Sequence, residues 1–133
     1  MFTSQVKYIG NLQTECVHLK SNTKIVTDAP TDNNGKGSAF SPTDLLATSL
    51  ASCMFTIMGI YCNEHKIPFK MAEAKVLKIM DSNPRRVSKI ELIIDLTGNQ
   101  WDEKTKEKVK KAGMFCPVAK TIENVVEIEY KFI

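Results

Sequence analysis

Short alternating apolar runs near both ends of the chain, one long central apolar stretch with helical periodicity, and an amphipathic segment in the C-terminal third predict an α+β fold in the order βββ-α-ββ-αα-β. The runs Ser4–Tyr8, Glu15–Leu19 and Lys24–Thr27 are β-prone and are separated by Gly10-Asn11 and Ser21-Asn22, which suit the tight turns of a meander. From Asp28 to Ser41 the sequence DAPTDNNGKGSAFS is too rich in turn residues for a regular element. Its length predicts a lid or binding loop. At Ser41-Pro42 a hydroxyl able to accept orphan N–H groups precedes a proline at the first helical position, which predicts a helix start. Leu46, Leu50, Cys53 or Met54, Ile57 and Tyr61 then recur at helical spacing, while Leu45, Ala51, Phe55, Met58 and Ile60 fill the circumference between them. This helix is expected to be central and covered on nearly every side, with a second copy of the chain supplying part of the cover.

After Lys66-Ile67-Pro68, the runs Met71–Met80 and Arg86–Thr97 flank the turn Asp81-Ser82-Asn83-Pro84 and predict a hairpin. Ile90, Leu92 and Ile94 alternate with Glu91, Ile93 and Asp95, so one face is wet. Asp102–Ala112 predicts an amphipathic helix ending at Gly113, and Pro117–Glu123 a short helix whose cap falls on Cys116. Val125–Phe132 closes as a strand with Val126, Ile128, Tyr130 and Phe132 on one face. The whole of 1–133 reads as one domain without internal repeats.

A chain of 133 residues, 43% hydrophobic and 25% charged, holds enough apolar material for a core and is not biased towards disorder. The longest apolar run, Leu45 to Cys62, is interrupted by Thr48, Ser49, Ser52 and Thr56, which favours a buried core helix over a membrane span. No secretory leader is recognisable after Met1, so a soluble cytoplasmic protein is expected, with no membrane partner. The formal charge of +3 is mild. Its lysines cluster on the wet side of the Asp102–Lys111 segment, where Glu107 precedes Lys110 and Lys111 at supporting spacing, so nucleic acid is not an expected partner.

Four cysteines in a cytoplasmic chain are expected to be reduced thiols, and any disulfide among them transient. Cys116 sits at a predicted helix N-terminus, where orphan N–H groups and the helix dipole favour the thiolate and are expected to lower its pKa. Cys53 has no such cap; Ser49 and Thr56, one turn away, offer hydroxyl donors, and a stronger lever must come from a cation elsewhere. Cys62 is half a helical circle from Cys53 at about 100° per residue and reads as a buried apolar residue. Cys16, beside His18 on one strand face, reads as incidental. Neither this pair nor Cys62 with His65 completes a four-ligand set, so no metal is expected. Cys53 and Cys116 leave two readings open: a redox pair, or two simply buried thiols.

The stretch SPTDLLATSLASCMF, followed by CPVAKTI with strands before and between, resembles the OsmC/Ohr family of osmotically induced and organic hydroperoxide resistance proteins over almost the whole chain. The resemblance implies an OsmC-like fold: an intertwined homodimer whose central helices are wrapped by antiparallel sheets, with paired sites at the interface. It implies a thiol-dependent peroxidase in which Cys53 is peroxidatic and Cys116 resolves it, an external dithiol as reductant, and no bound cofactor. Met54, Phe55, Met114 and Phe115 are the expected apolar walls for an organic hydroperoxide. The family's peroxidases carry an activating arginine in the N-terminal strand region and a glutamate just after the helix-opening proline. Here Thr43-Asp44 follow Pro42 and no arginine precedes Arg85, so Asp44, Thr43, Lys24 and Lys36 are the candidate activating groups. The alternative within the family is a non-enzymatic member that binds a small apolar ligand or senses redox state at the dimer interface.

Overall fold

The computed structural model describes all 133 residues, Met1–Ile133. Two compact units follow one another along the chain, Met1–Leu45 and Leu46–Ile133.

The first unit is a meander of β1 (Ser4–Gly10), β2 (Gln13–His18) and β3 (Lys24–Asp28), antiparallel in the order β1-β2-β3. Positive φ angles at Gly10, Asn11 and Leu12 turn the chain between β1 and β2, and Asn22 does the same before β3. The sheet has little cover: Val6 is 60% and Tyr8 68% exposed, and Ile25 and Val26 are open too. The segment after β3 is more ordered than its composition suggests. The buried Asp28 carboxylate accepts the Ser38 N–H at 3.0 Å and the Ser38 hydroxyl at 2.5 Å. The Pro30 carbonyl accepts from Asn33 and Gly35 around a short 3₁₀ turn, Thr31–Asn33. Gly35 is required there, because a Cβ would fall 1.7 Å from the Ala29 carbonyl oxygen.

Helix α1 (Pro42–Glu64) opens with a reciprocal cap. Ser41 Oγ accepts the Asp44 N–H at 3.0 Å, and the Asp44 carboxylate accepts the Ser41 N–H at 2.9 Å. From Leu46 onward the second unit contains β4 (Glu73–Asp81), β5 (Arg86–Asp95), α2 (Glu103–Met114), α3 (Pro117–Ile122) and β6 (Glu127–Phe132). Its core joins Ala47, Leu50, Ala51, Met54, Met58 and Cys62 of α1 to Val87, Ile90, Leu92 and Ile94 of β5, with Val109, Cys116 and Ala119 from the later helices. Full burial of each large aliphatic side chain contributes roughly 1.5–3 kcal/mol, measured against an extended unfolded chain.

Several local features differ from expectation. Met71 lies outside β4 because the Asn99 side chain accepts the Met71 N–H and donates to its carbonyl, taking the groups that a ladder would use. Val125 and Val126 donate to the Ile122 carbonyl and so continue the α3 exit before β6 begins. The pairing of β4 with β5 is antiparallel, whereas β5 and β6 run parallel, with Leu92 opposite Tyr130. Two helices join these strands, which is the long crossover that parallel pairing needs. Helix α2 passes through Gly113 to Met114 instead of ending there.

Within the single chain helix α1 is covered on one side. Leu46 is 38% and Ile60 48% exposed, and Ser52 and Thr56 between them are open as well. Helix α1 is long and apolar enough to cross a membrane by length and composition. Its Ala47–Leu50–Met54–Met58–Cys62 side is nevertheless buried against protein.

Candidate thiol site

Cys53 lies at the middle of α1 and keeps part of its surface exposed. Cys116 is fully buried at the N-cap of α3, where its Sγ accepts the Ala119 N–H at 3.4 Å. Its own N–H donates to the Gly113 carbonyl at 3.2 Å, and its carbonyl accepts from Lys120 at 3.0 Å, which fixes the thiol between α2 and α3. The Cys116 thiol lies close enough to Cys53 for the neighbouring thiol to raise its pKa. The fold therefore brings the two cysteines together.

The cap does not set the acidity of Cys116. Burial pushes its pKa above the ordinary thiol range, outweighing the Ala119 N–H that favours the thiolate, and the neighbouring Cys53 adds to the rise. The expected lowering is thus reversed, because a short helix contributes few aligned dipoles while full burial removes water from the anion. The two hydroxyls expected near Cys53 are also engaged elsewhere. Ser49 Oγ donates to the Leu46 carbonyl at 2.6 Å and Thr56 Oγ1 to the Ser52 carbonyl at 2.9 Å, as such residues do within helices.

Among the expected pocket walls, Met54 is fully buried and belongs to the core, whereas Phe115 is 71% exposed and Met114 partly so. The Lys120 ammonium sits 3.6 Å from the Phe115 ring centroid and 3.4 Å from the Glu123 carboxylate. Phe55 lines a shallow recess with Phe69, Lys70, Met71 and Ala72. Lys24 is exposed on β3, Lys36 is exposed in the loop after it, and Asp44 and Thr43 lie in the first turn of α1, where Asp44 completes the cap. Cys62 is buried, and burial raises its pKa. Cys16 lies 3.7 Å from the Thr14 hydroxyl on β2.

Tyr130 is a neighbour that the sequence did not single out. Its phenol is raised first by burial, then by the charge of Cys116 and of Glu123. Its inward side was legible in the β6 alternation, but the parallel register that sets it opposite Leu92 was not, since alternation does not encode register.

An α+β chain with a partly open helix thiol set against a buried cap thiol defines a class of thiol-pair proteins. The comparisons narrow that class: the OsmC-like protein family model matches residues 35–131, and the chain belongs to this family. A crystal structure from Psychrobacter arcticus, of a protein described as osmotic stress induced and involved in a detoxification response, shares 47% identity with a TM-score of 0.93, covering 100% of this chain and 96% of that one. The organic hydroperoxide resistance protein OsmC of Legionella pneumophila superposes with a TM-score of 0.76 at 18% identity, over 99% and 97% of the two chains. The organic hydroperoxide resistance protein OhrB of Bacillus subtilis gives 0.71 at 17% identity, over 99% and 98%. These two likenesses concern the fold. No curated protein matches the sequence significantly.

Proposed function

We propose that this protein is a thiol-dependent peroxidase that reduces organic hydroperoxides in the cytoplasm, acting as a homodimer. The observation that supports the reading is the proximity of the Cys53 thiol, partly open, to the buried Cys116 thiol, whose pKa it raises. In the cycle, the Cys53 thiolate attacks the distal peroxide oxygen, the O–O bond breaks, and the leaving alkoxide takes a proton to become an alcohol. The resulting Cys53 sulfenic acid is attacked by Cys116 sulfur; the S–S bond forms and the Cys116 proton leaves with hydroxide as water. An external dithiol then reopens the disulfide by exchange. Burial suits Cys116 to the second step, since a thiol held neutral and dry is shielded from direct oxidation until Cys53 presents its sulfenic acid. Exposed Met114 and Phe115 beside Cys116 favour an apolar peroxide over hydrogen peroxide, because only the former gains by leaving water.

A dimer is supported by the open stripe Leu46–Ser52–Thr56–Ile60 on α1 and the open β1–β3 sheet, both of which leave apolar side chains in water in a single chain. The peroxidase is tested by mixing reduced protein with cumene hydroperoxide and excess dithiol and following peroxide loss. Catalytic consumption that vanishes in Cys53→Ser is expected. Wild type no faster than that variant removes the enzymatic reading and leaves a ligand-binding or redox-sensing role.

A further inference from the structure

Gly113 lies in the last turn of α2 and is buried, yet its φ is not in the positive range, so no backbone conformation calls for glycine there. The space around it does. A Cβ on Gly113 would lie 2.6 Å from Met58 Cε, 2.8 Å from Met58 Cγ and 2.8 Å from Met54 Cγ. Two of these three atoms belong to side-chain stems inside a packed core, where little room exists to move. Met54 adjoins Cys53 on α1, and the Gly113 carbonyl accepts the Cys116 N–H. One residue without a side chain therefore touches the helix turn carrying the first thiol and holds the backbone carrying the second.

We propose that Gly113 is a positioning residue for the thiol pair: its bare Cα lets the end of α2 approach α1 closely enough for the Cys53–Cys116 disulfide to close. This rests on the two-cysteine reading above. A disulfide tolerates little error, since Cα separations beyond about 7 Å cannot be bridged without backbone movement. A methyl at Gly113 must move its neighbours from 2.6–2.8 Å out to at least 3.4 Å to reach ordinary contact. Moving the end of α2 away from α1 makes that room, and it carries Cys116 away from Cys53.

The test is the equilibrium of purified full-length protein with a reduced and oxidised dithiothreitol buffer. There the two protein thiols lose two electrons and two protons to oxidised dithiothreitol, and the Cys53–Cys116 disulfide is quantified by peptide mapping. Gly113→Ala is expected to lower the equilibrium constant for disulfide formation about tenfold, a rise in potential of about 30 mV for a two-electron couple. Alanine's better helix propensity offsets part of the strain, which favours a folded variant. Gly113→Ala/Met58→Ala removes two of the three contacts and is expected to return the constant towards wild type; it carries the test if the single variant does not fold. Val87→Ala, a core truncation at the hairpin end of β5, controls for lost stability and is expected to leave the constant unchanged. If Gly113→Ala matches wild type, or Val87→Ala falls equally, the positioning role is overturned while the two-cysteine reading stands. If wild type forms no Cys53–Cys116 disulfide in oxidising buffer, that reading fails and the positioning role fails with it.

Discussion

Cys116 carries a structural duty that is separable from its chemistry, and the pair Cys116→Ser and Cys116→Ala separates them. Its Sγ is the N-cap of α3, accepting the N–H of Ala119, which is itself fully buried. In Cys116→Ala that N–H loses its partner in a dry environment, a cost of about 1–3 kcal/mol. Removal of an N-cap costs a similar amount, typically ~1 kcal/mol. Serine is a preferred cap residue and offers a hydroxyl acceptor in the same place, so Cys116→Ser keeps the bond. The serine variant should therefore be more stable than the alanine variant by about 1–2 kcal/mol. An unfolding entropy of about 2.1 cal/mol/K per residue over 133 residues gives roughly 0.28 kcal/mol/K, so the difference corresponds to about 4–7 °C in Tm. Calorimetric melts of both variants under reducing conditions, at one protein concentration, measure it. Equal melting temperatures would show that the sulfur does not act as a cap.

The raised pKa of Cys116 has a definite sign in the stability profile. Between the unfolded thiol value of about 8.5 and the higher folded value, the unfolded chain releases a proton that the folded chain keeps, so stability falls as pH rises through that window. Cys62 and Tyr130 act in the same sense, and Cys116→Ser should flatten, without abolishing, the alkaline fall in urea midpoint. On the acid side, the Ser38 hydroxyl and then the Ser38 N–H hold the Asp28 carboxyl below its ordinary range. Its contribution is present above about pH 3.9 and is lost as pH falls towards the folded value. Asp28→Asn should therefore show a smaller loss of urea midpoint than wild type between about pH 6 and about pH 3. For the dimer, sedimentation of wild type should give twice the 14.9 kDa chain mass, and Leu46→Asp/Ile60→Asp should sediment at the single-chain mass. A wild-type monomer would remove the dimer proposal.

Local chemistry made much of the fold legible. Ser41-Pro42 marked the start of α1 and Cys116 the cap of α3, because capping depends on residues adjacent in sequence, whereas Asp102, read as the first helical residue, is the N-cap of α2. The alternation in β5 gave its buried face, Ile90, Leu92 and Ile94, correctly. What stayed hidden depends on tertiary contacts. The role of Asn99 in holding Met71 out of the start of β4, the parallel register that sets Tyr130 opposite Leu92, and the crowding by Met54 and Met58 that explains Gly113 all join residues distant in sequence. At Cys116 the local and tertiary effects oppose each other. The sequence displays the cap but not the burial that outweighs it.

The central claim is that the sulfurs of Cys53 and Cys116 form one redox unit. Fully reduced protein treated with a single equivalent of cumene hydroperoxide, quenched by alkylation and mapped by mass spectrometry, tests it directly. The account predicts the loss of two of the four free thiols and a crosslink joining the peptides of Cys53 and Cys116. Four intact thiols, or a crosslink that engages Cys16 or Cys62 instead, would contradict it.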